Sequence, residues 1–182
     1  MSVLPNGKIL AWQHGHHDHG GVIEDHPQPT VWDPNSGAFT SVDIPNPLNG
    51  SARDEIYCPG HAFMPNGKLL VVGGHAKGSN NEFYGSKQTH LFDYQNNSWS
   101  AGPDMRDGRW YPTVTALGDG TMLATAGYMD PASPAFSDNL FPEVLSASGA
   151  SWRHLSSAQR LLPLYPWIYQ APNGKVFYAG PG

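Results

Sequence analysis

Residues 64–74 read Met64-Pro65-Asn66-Gly67-Lys68-Leu69-Leu70-Val71-Val72-Gly73-Gly74. Asn-Gly tolerates the positive φ of a tight hairpin turn, and an unbroken aliphatic run follows it. The stretch therefore predicts a hairpin whose second strand is buried and ends in a double glycine. The arrangement recurs at Leu4-Pro5-Asn6-Gly7-Lys8-Ile9-Leu10, at Leu117-Gly118-Asp119-Gly120-Thr121-Met122-Leu123 and at Ala171-Pro172-Asn173-Gly174-Lys175-Val176-Phe177. The turn glycines Gly7, Gly67, Gly120 and Gly174 follow one another at 60, 53 and 54 residues.

Inside each unit the register is tighter still. From turn glycine to a late aromatic is 32 residues three times: Gly7 to Phe39, Gly67 to Trp99 and Gly120 to Trp152. Small residues close the second strand at Gly73-Gly74, Ala126-Gly127 and, more loosely, Gly180-Pro181; the first unit has Gln13-His14 there. Second hairpins read Thr30-Val31-Trp32-Asp33 with Asn35-Ser36-Gly37, Thr89-His90-Leu91-Phe92-Asp93-Tyr94 with Asn96-Asn97, and Glu143-Val144-Leu145 with Ser148-Gly149. Each unit is thus four short antiparallel strands. A β-sandwich also repeats hairpins, but it gives no reason for three identical offsets. The pattern resembles the kelch repeat, one blade of a β-propeller.

The expected fold is all-β: a kelch-type β-propeller present as an incomplete arc of about three and a half four-stranded blades. Residues 1–47 are expected to form a blade lacking most of its first strand, 55–105 and 109–158 complete blades, and 164–182 the first hairpin of a fourth. Propellers close with roughly four to eight blades, so the chain is expected to be a fragment of a longer one. Trp32, Phe92, Trp99 and Trp152 fall at repeated packing positions and are expected in the core.

Composition agrees. Aromatic residues are 12% of the 182, charged residues only 14%, and there are 21 glycines and 17 prolines. A disordered chain is poor in aromatics, and a helical bundle or coiled coil is rich in charge and poor in turns. The net charge is −5 and the ten basic residues are scattered, which excludes a nucleic-acid partner. The longest aliphatic run, Leu69 to Val72, is too short for a membrane span. Met1-Ser2-Val3-Leu4 runs straight into a turn, with no signal-peptide pattern. One cysteine, Cys58, leaves no internal disulfide.

In a four-stranded antiparallel blade the entry to strand 1 and the loop after strand 2 share a face. Nine residues before the turn glycines stand Cys58, Tyr111 and Tyr165, each followed by proline. Cys58 and Tyr111 are therefore expected as neighbours on that face, near the propeller axis. Tyr57 is closer in sequence, but alternation along a strand is expected to point it away from Cys58. Taken alone, a single cysteine reads as a buried core thiol. Tyr165 is read as structural because Tyr-Pro recurs at its position, and Arg109 as a scaffold hydrogen-bonder.

Three stretches resemble the galactose oxidase and glyoxal oxidase family, the copper radical oxidases: Tyr57-Cys58-Pro59-Gly60-His61; Gly102-Pro103-Asp104-Met105 with Gly108-Arg109-Trp110-Tyr111-Pro112; and Val176-Phe177-Tyr178-Ala179-Gly180-Pro181. The resemblance implies a copper cofactor and a Cys-Tyr thioether, with Cys58 as the cross-linking thiol and Tyr111 as catalytic residue, copper ligand and radical site. It implies oxidation of small-molecule or carbohydrate alcohols or aldehydes by O2 to give H2O2. It further implies an extracellular protein whose C-terminal part completes the copper site with a second tyrosine and two histidines. The family stacks a tryptophan over the thioether; the matching region here reads Ala126-Gly127-Tyr128-Met129-Asp130, which offers Tyr128 instead. The alternative reading is a non-catalytic kelch propeller that binds protein or glycan.

His14, His16, His17, His19 and His26 crowd the loop expected after strand 2 of the first blade. Imidazoles suit copper and zinc, yet their spacing fits no fixed ligand pattern and Gly15, Gly20 and Gly21 loosen the loop. The family's histidine ligands lie later in the chain, so these are not assigned to it. His61, His75, His90 and His154 are isolated in sequence and receive no chemistry.

Overall fold

The computed structural model describes residues 1–12, 29–42, 44, 56–77, 83–129 and 137–180. The described residues hold sixteen strands and no helix. β1 (Ser2–Val3), β2 (Ile9–Ala11), β3 (Thr30–Trp32) and β4 (Phe39–Ser41) make the first sheet, in chain order. The second is β5 (Gly60–Phe63) and β6 (Leu69–Val72), then, past an inserted hairpin of β7 (His75–Lys77) and β8 (Phe83–Gly85), β9 (Thr89–Asp93) and β10 (Ser98–Ala101). The third is β11 (Thr113–Ala116), β12 (Met122–Thr125), β13 (Glu143–Leu145) and β14 (Trp152–His154). β15 (Ile168–Gln170) and β16 (Val176–Tyr178) form a two-stranded sheet. Every pairing is antiparallel. This is an open arc of propeller blades. The β7–β8 hairpin is an addition that the repeat pattern did not foretell.

The four repeated turns share one geometry. Gly7, Gly67, Gly120 and Gly174 have φ between 81° and 85°, and each donates its N–H to the carbonyl three residues back at 2.9 Å. Asn6, Asn66 and Asp119 are not left-handed; their side chains accept from the N–H two residues on. The turn is therefore a type I turn with a glycine bulge, not the mirror-image turn in which both central residues are left-handed. Proline at the first central position, as in Pro5 and Pro65, suits that type.

The buried middle strands explain the unbroken aliphatic runs. Successive strand residues point to opposite faces. Leu69 and Val71 join the core between the first and second blades, with Leu10, Val31, Phe92 and Trp99. Leu70 and Val72 join the core between the second and third, with Met64, Met105, Met122 and Leu145. Leu123 and Val144 face a smaller cluster against Ile168 of the last hairpin. Both faces of a central strand are covered, so polar alternation disappears.

The constant 32-residue offset also has a cause. Trp99 Nε1 donates to the Val42 carbonyl at 2.9 Å, and Trp152 Nε1 to the Pro103 carbonyl at 3.0 Å. Each indole fastens its blade to the end of the preceding one. Phe92 is fully buried and Trp99 nearly so, whereas Trp32 and Trp152 are half-buried. Phe39 holds the same register in the first blade and is 73% exposed. The inner strands β5 and β11 lie side by side: a Cβ on Gly60 would stand 2.8 Å from Val114 Cγ2. That close contact sets the entries to the two strands next to each other.

Candidate functional site

Cys58, Tyr111 and Tyr165 have φ of 54°, 65° and 50°. Bulky non-glycine residues take this left-handed conformation only when the surroundings impose it. Here the surroundings form a chain of backbone hydrogen bonds across the blades. The Tyr111 N–H donates to the Cys58 carbonyl at 3.0 Å, and the Tyr165 N–H donates to the Tyr111 carbonyl at 3.0 Å. Pro59, Pro112 and Pro166 follow and need no N–H partner. The shared register in sequence is a physical ring segment in space.

The side chains converge as well. The phenols of Tyr57, Tyr111 and Tyr165 all stand close enough to the Cys58 thiol for it to push their pKa up. The Tyr111 ring lies face to face with Trp110, centroids 4.8 Å apart and planes 18° apart. Tyr165 meets Tyr111 edge-on at 5.5 Å, and Tyr128 does so at 6.4 Å. Burial first, then Cys58, pushes the Tyr111 phenol up to about 12. The same causes push Tyr165 up strongly, and Cys58 pushes Tyr57 up. The cluster thus presents neutral phenols at neutral pH, half-open to solvent.

One sequence expectation changes here. Tyr57 does not point away from Cys58. Strand β5 starts only at Gly60, and the left-handed Cys58 breaks the pleat on which alternation depends. Tyr165, read as structural, stands in the cluster with its ring against Tyr111. His75, assigned no chemistry, is buried beside it, with ring contacts to Tyr57 at 5.6 Å and Trp110 at 5.4 Å. A signal for His75 existed: it follows Gly73-Gly74 as Tyr128 follows Ala126-Gly127, eight residues past each turn glycine. The histidines His14, His16, His17, His19 and His26 lie outside the described residues.

Beneath the cluster sits Arg109, fully buried. Its Nη2 is 3.0 Å from Glu143 Oε1 and donates to the Phe141 carbonyl at 2.6 Å, while Nη1 donates to the Ala126 carbonyl at 2.9 Å. Burial pulls its pKa down and Glu143 pushes it back up. Gly73 and Gly127 make room for its backbone and Cβ. A Cβ on Gly73, at φ 68°, would stand 2.1 Å from the Arg109 carbonyl oxygen, and one on Gly127 3.1 Å from Arg109 Cβ.

No protein-family model matches the chain. Two curated galactose oxidases of Gibberella zeae are each 26% identical over 193 residues, covering 97% of this chain and 25% of the relative. The chain is galactose oxidase-like. It spans about a quarter of the length of those curated relatives. A solved fungal alcohol oxidase of the AA5 family, in complex with copper, shares the fold at a TM-score of 0.68 and 18% identity, over 98% of this chain and 36% of that one. In this galactose oxidase-like arc, the residue stacked on Tyr111 is its sequence neighbour Trp110; Tyr128 meets the ring only edge-on. Among the described residues, no group of three or more His, Cys, Asp or Glu could hold a metal ion. Phenols and a thiol are the donors gathered at this face, and a phenol, once deprotonated, is a fitting single ligand for copper.

Proposed function

We propose that the full-length protein is a copper-dependent oxidoreductase that oxidises primary alcohols or aldehydes with O2 and releases H2O2. The observation that carries this reading is the meeting of Cys58 and Tyr111. They lie 53 residues apart in sequence, yet they share a backbone hydrogen bond, and the thiol stands close enough to the phenol to raise its pKa. In this reading Cys58 Sγ bonds to a carbon of the Tyr111 ring. The thiol and the ring each lose a hydrogen, and O2 takes up both as H2O2. Tyr111 is then the catalytic residue of this chain and its copper ligand, and the thioether is a protein-derived redox cofactor.

A sulfur substituent delocalises an oxidised phenol, so Tyr111 becomes easier to oxidise than a plain tyrosine. Copper, when bound, supplies the second one-electron acceptor that a two-electron oxidation requires. Trp110 covers one face of the Tyr111 ring and limits water there. Two electrons and two protons pass from the alcohol to O2, giving an aldehyde and H2O2. We take the remaining ligands from parts of the protein C-terminal to this arc, since the chain spans only 25% of its curated relatives. Residues 1–47, 55–105, 109–158 and 164–182 are then successive kelch blades, whole or partial, of a longer propeller. A secreted protein is the matching location.

The test is peptide mass mapping of the full-length protein after exposure to copper and air. Under reduction, the Cys58 and Tyr111 peptides should appear joined and two hydrogens lighter than their sum, because reductants open disulfides and spare thioethers. Cys58→Ser should remove the joined peptide and most oxidase activity while leaving the fold. A free Cys58 thiol after copper treatment would sink the reading and favour a propeller that binds protein or glycan.

A further inference from the structure

The geometry points to the buried Arg109–Glu143 pair as the positioning device that holds Tyr111 against Cys58. Both side chains are essentially inaccessible, at 0% and 1% exposure. Glu143, at the start of β13, grips the approach to Tyr111 at two places. Its Oε1 accepts from Arg109 Nη2 at 3.0 Å, and its Oε2 accepts the Arg106 N–H at 2.8 Å. The rest of the guanidinium reaches outside the ion pair. It holds the carbonyl of Ala126, a non-glycine residue at φ 59°, and the carbonyl of Phe141.

Backbone bonds complete the clamp from the preceding blade. The Arg109 N–H donates to the Ser86 carbonyl at 2.9 Å, and the Gly74 N–H donates to the Arg109 carbonyl at 3.0 Å. Trp110 exchanges two bonds with Tyr128, at 2.9 and 2.8 Å. Segment 106–110 is therefore fixed on both sides before the chain turns left-handed at Tyr111. A buried ion pair is a poor source of net stability, because desolvation offsets attraction. A pair that binds the left-handed Ala126 turn, the Phe141 carbonyl and the approach to the left-handed tyrosine instead sets geometry.

The consequence for chemistry rests on the cross-link reading above, but the positioning itself does not. The experiment uses the full-length protein and two variants, Arg109→Met/Glu143→Met and Arg109→Lys. The first replaces the pair by apolar side chains, a change that is commonly neutral or stabilising. The second keeps a charge opposite Glu143 and loses the fork that reaches both carbonyls. Two readouts are taken. One is amide hydrogen exchange at Tyr111 and Tyr165 in copper-free protein. The other is the rate of Cys58–Tyr111 thioether formation after copper is added in air.

The expected result is a folded protein with a modestly lower melting temperature, because the Ala126 and Phe141 carbonyls lose partners, and with the Tyr111 and Tyr165 amides exchanging roughly tenfold faster than any general loss of stability explains. Cross-linking slows by about tenfold or more, since displacements of about 1 Å can cost two orders of magnitude. Wild-type exchange, or a wild-type cross-linking rate, in either folded variant overturns the proposal. If the wild-type protein itself forms no thioether, the oxidase reading fails, and the exchange data alone decide the positioning role.

Discussion

A cysteine and two tyrosines accept left-handed backbone here at the same place in three successive units. Each such residue costs on the order of 1–3 kcal/mol, which the bond to the next unit helps to offset. Another residue carries its own cost. His90 is buried on β9 among apolar neighbours, with its ring edge-on to Trp99 at 6.4 Å and neither ring nitrogen hydrogen-bonded. Burial lowers its pKa to about 4. Between pH 4 and 6.5 the unfolded chain takes up a proton that the folded one refuses, so stability falls as pH drops through that window. The loss should approach about 3 kcal/mol by pH 4. Urea denaturation at pH 7 and pH 4.5 measures it; His90→Phe should reduce the difference without abolishing it, since burial pulls His61 down to about 4 as well.

At the scale of elements, the double glycine Gly73-Gly74 after the second strand of its blade is spatial rather than decorative. Gly73 stands where a Cβ would meet the Arg109 carbonyl at 2.1 Å, and its φ of 68° already disfavours any side chain. Gly73→Ala should therefore destabilise by at least about 2 kcal/mol, through a backbone clash added to left-handed strain. A thermal melt beside Gly7→Ala separates the two causes. Gly7 is also left-handed, but nothing lies within 4 Å of its added Cβ, so only the strain cost of about 1 kcal/mol should remain. The double glycine was legible in the sequence. Its partner, the Arg109 backbone of the next blade, was not, because the contact joins residues that no local period relates.

For the whole molecule, the last hairpin stands out. Trp167, Tyr169 and Phe177 are 60%, 53% and 48% exposed, and Tyr169 packs across to Phe177 at 5.9 Å. β15 is tied to the third blade by Thr115 Oγ1 to the Ile168 carbonyl at 3.2 Å and by the Gly118 N–H to Gln170 Oε1 at 2.6 Å. Among the described residues, no strand pairs with its outer edge and its apolar surface is exposed. Such an edge templates association between chains. As a separate 182-residue chain the arc should self-associate and bind a hydrophobic dye, and Phe177→Ser with Trp167→Ser should reduce both. A monodisperse monomer with a sharp unfolding transition would contradict this.

By itself, the sequence determined the all-β class, the four equivalent turns and the shared register of Cys58, Tyr111 and Tyr165. These features are local or periodic, so turn chemistry and spacing express them directly. The tertiary structure decided which side chains occupy the face. Tyr57 turned toward Cys58 because the strand had not yet begun, His75 and Trp110 entered the aromatic cluster, and Tyr165 closed on Tyr111. It also decided what Arg109 is bonded to: Glu143, 34 residues on, with the Ala126 and Phe141 carbonyls beside it. Those outcomes depend on how neighbouring blades pack. A repeat fixes where each blade begins, whereas the side chains that cross between blades are set by the space left once the blades have met.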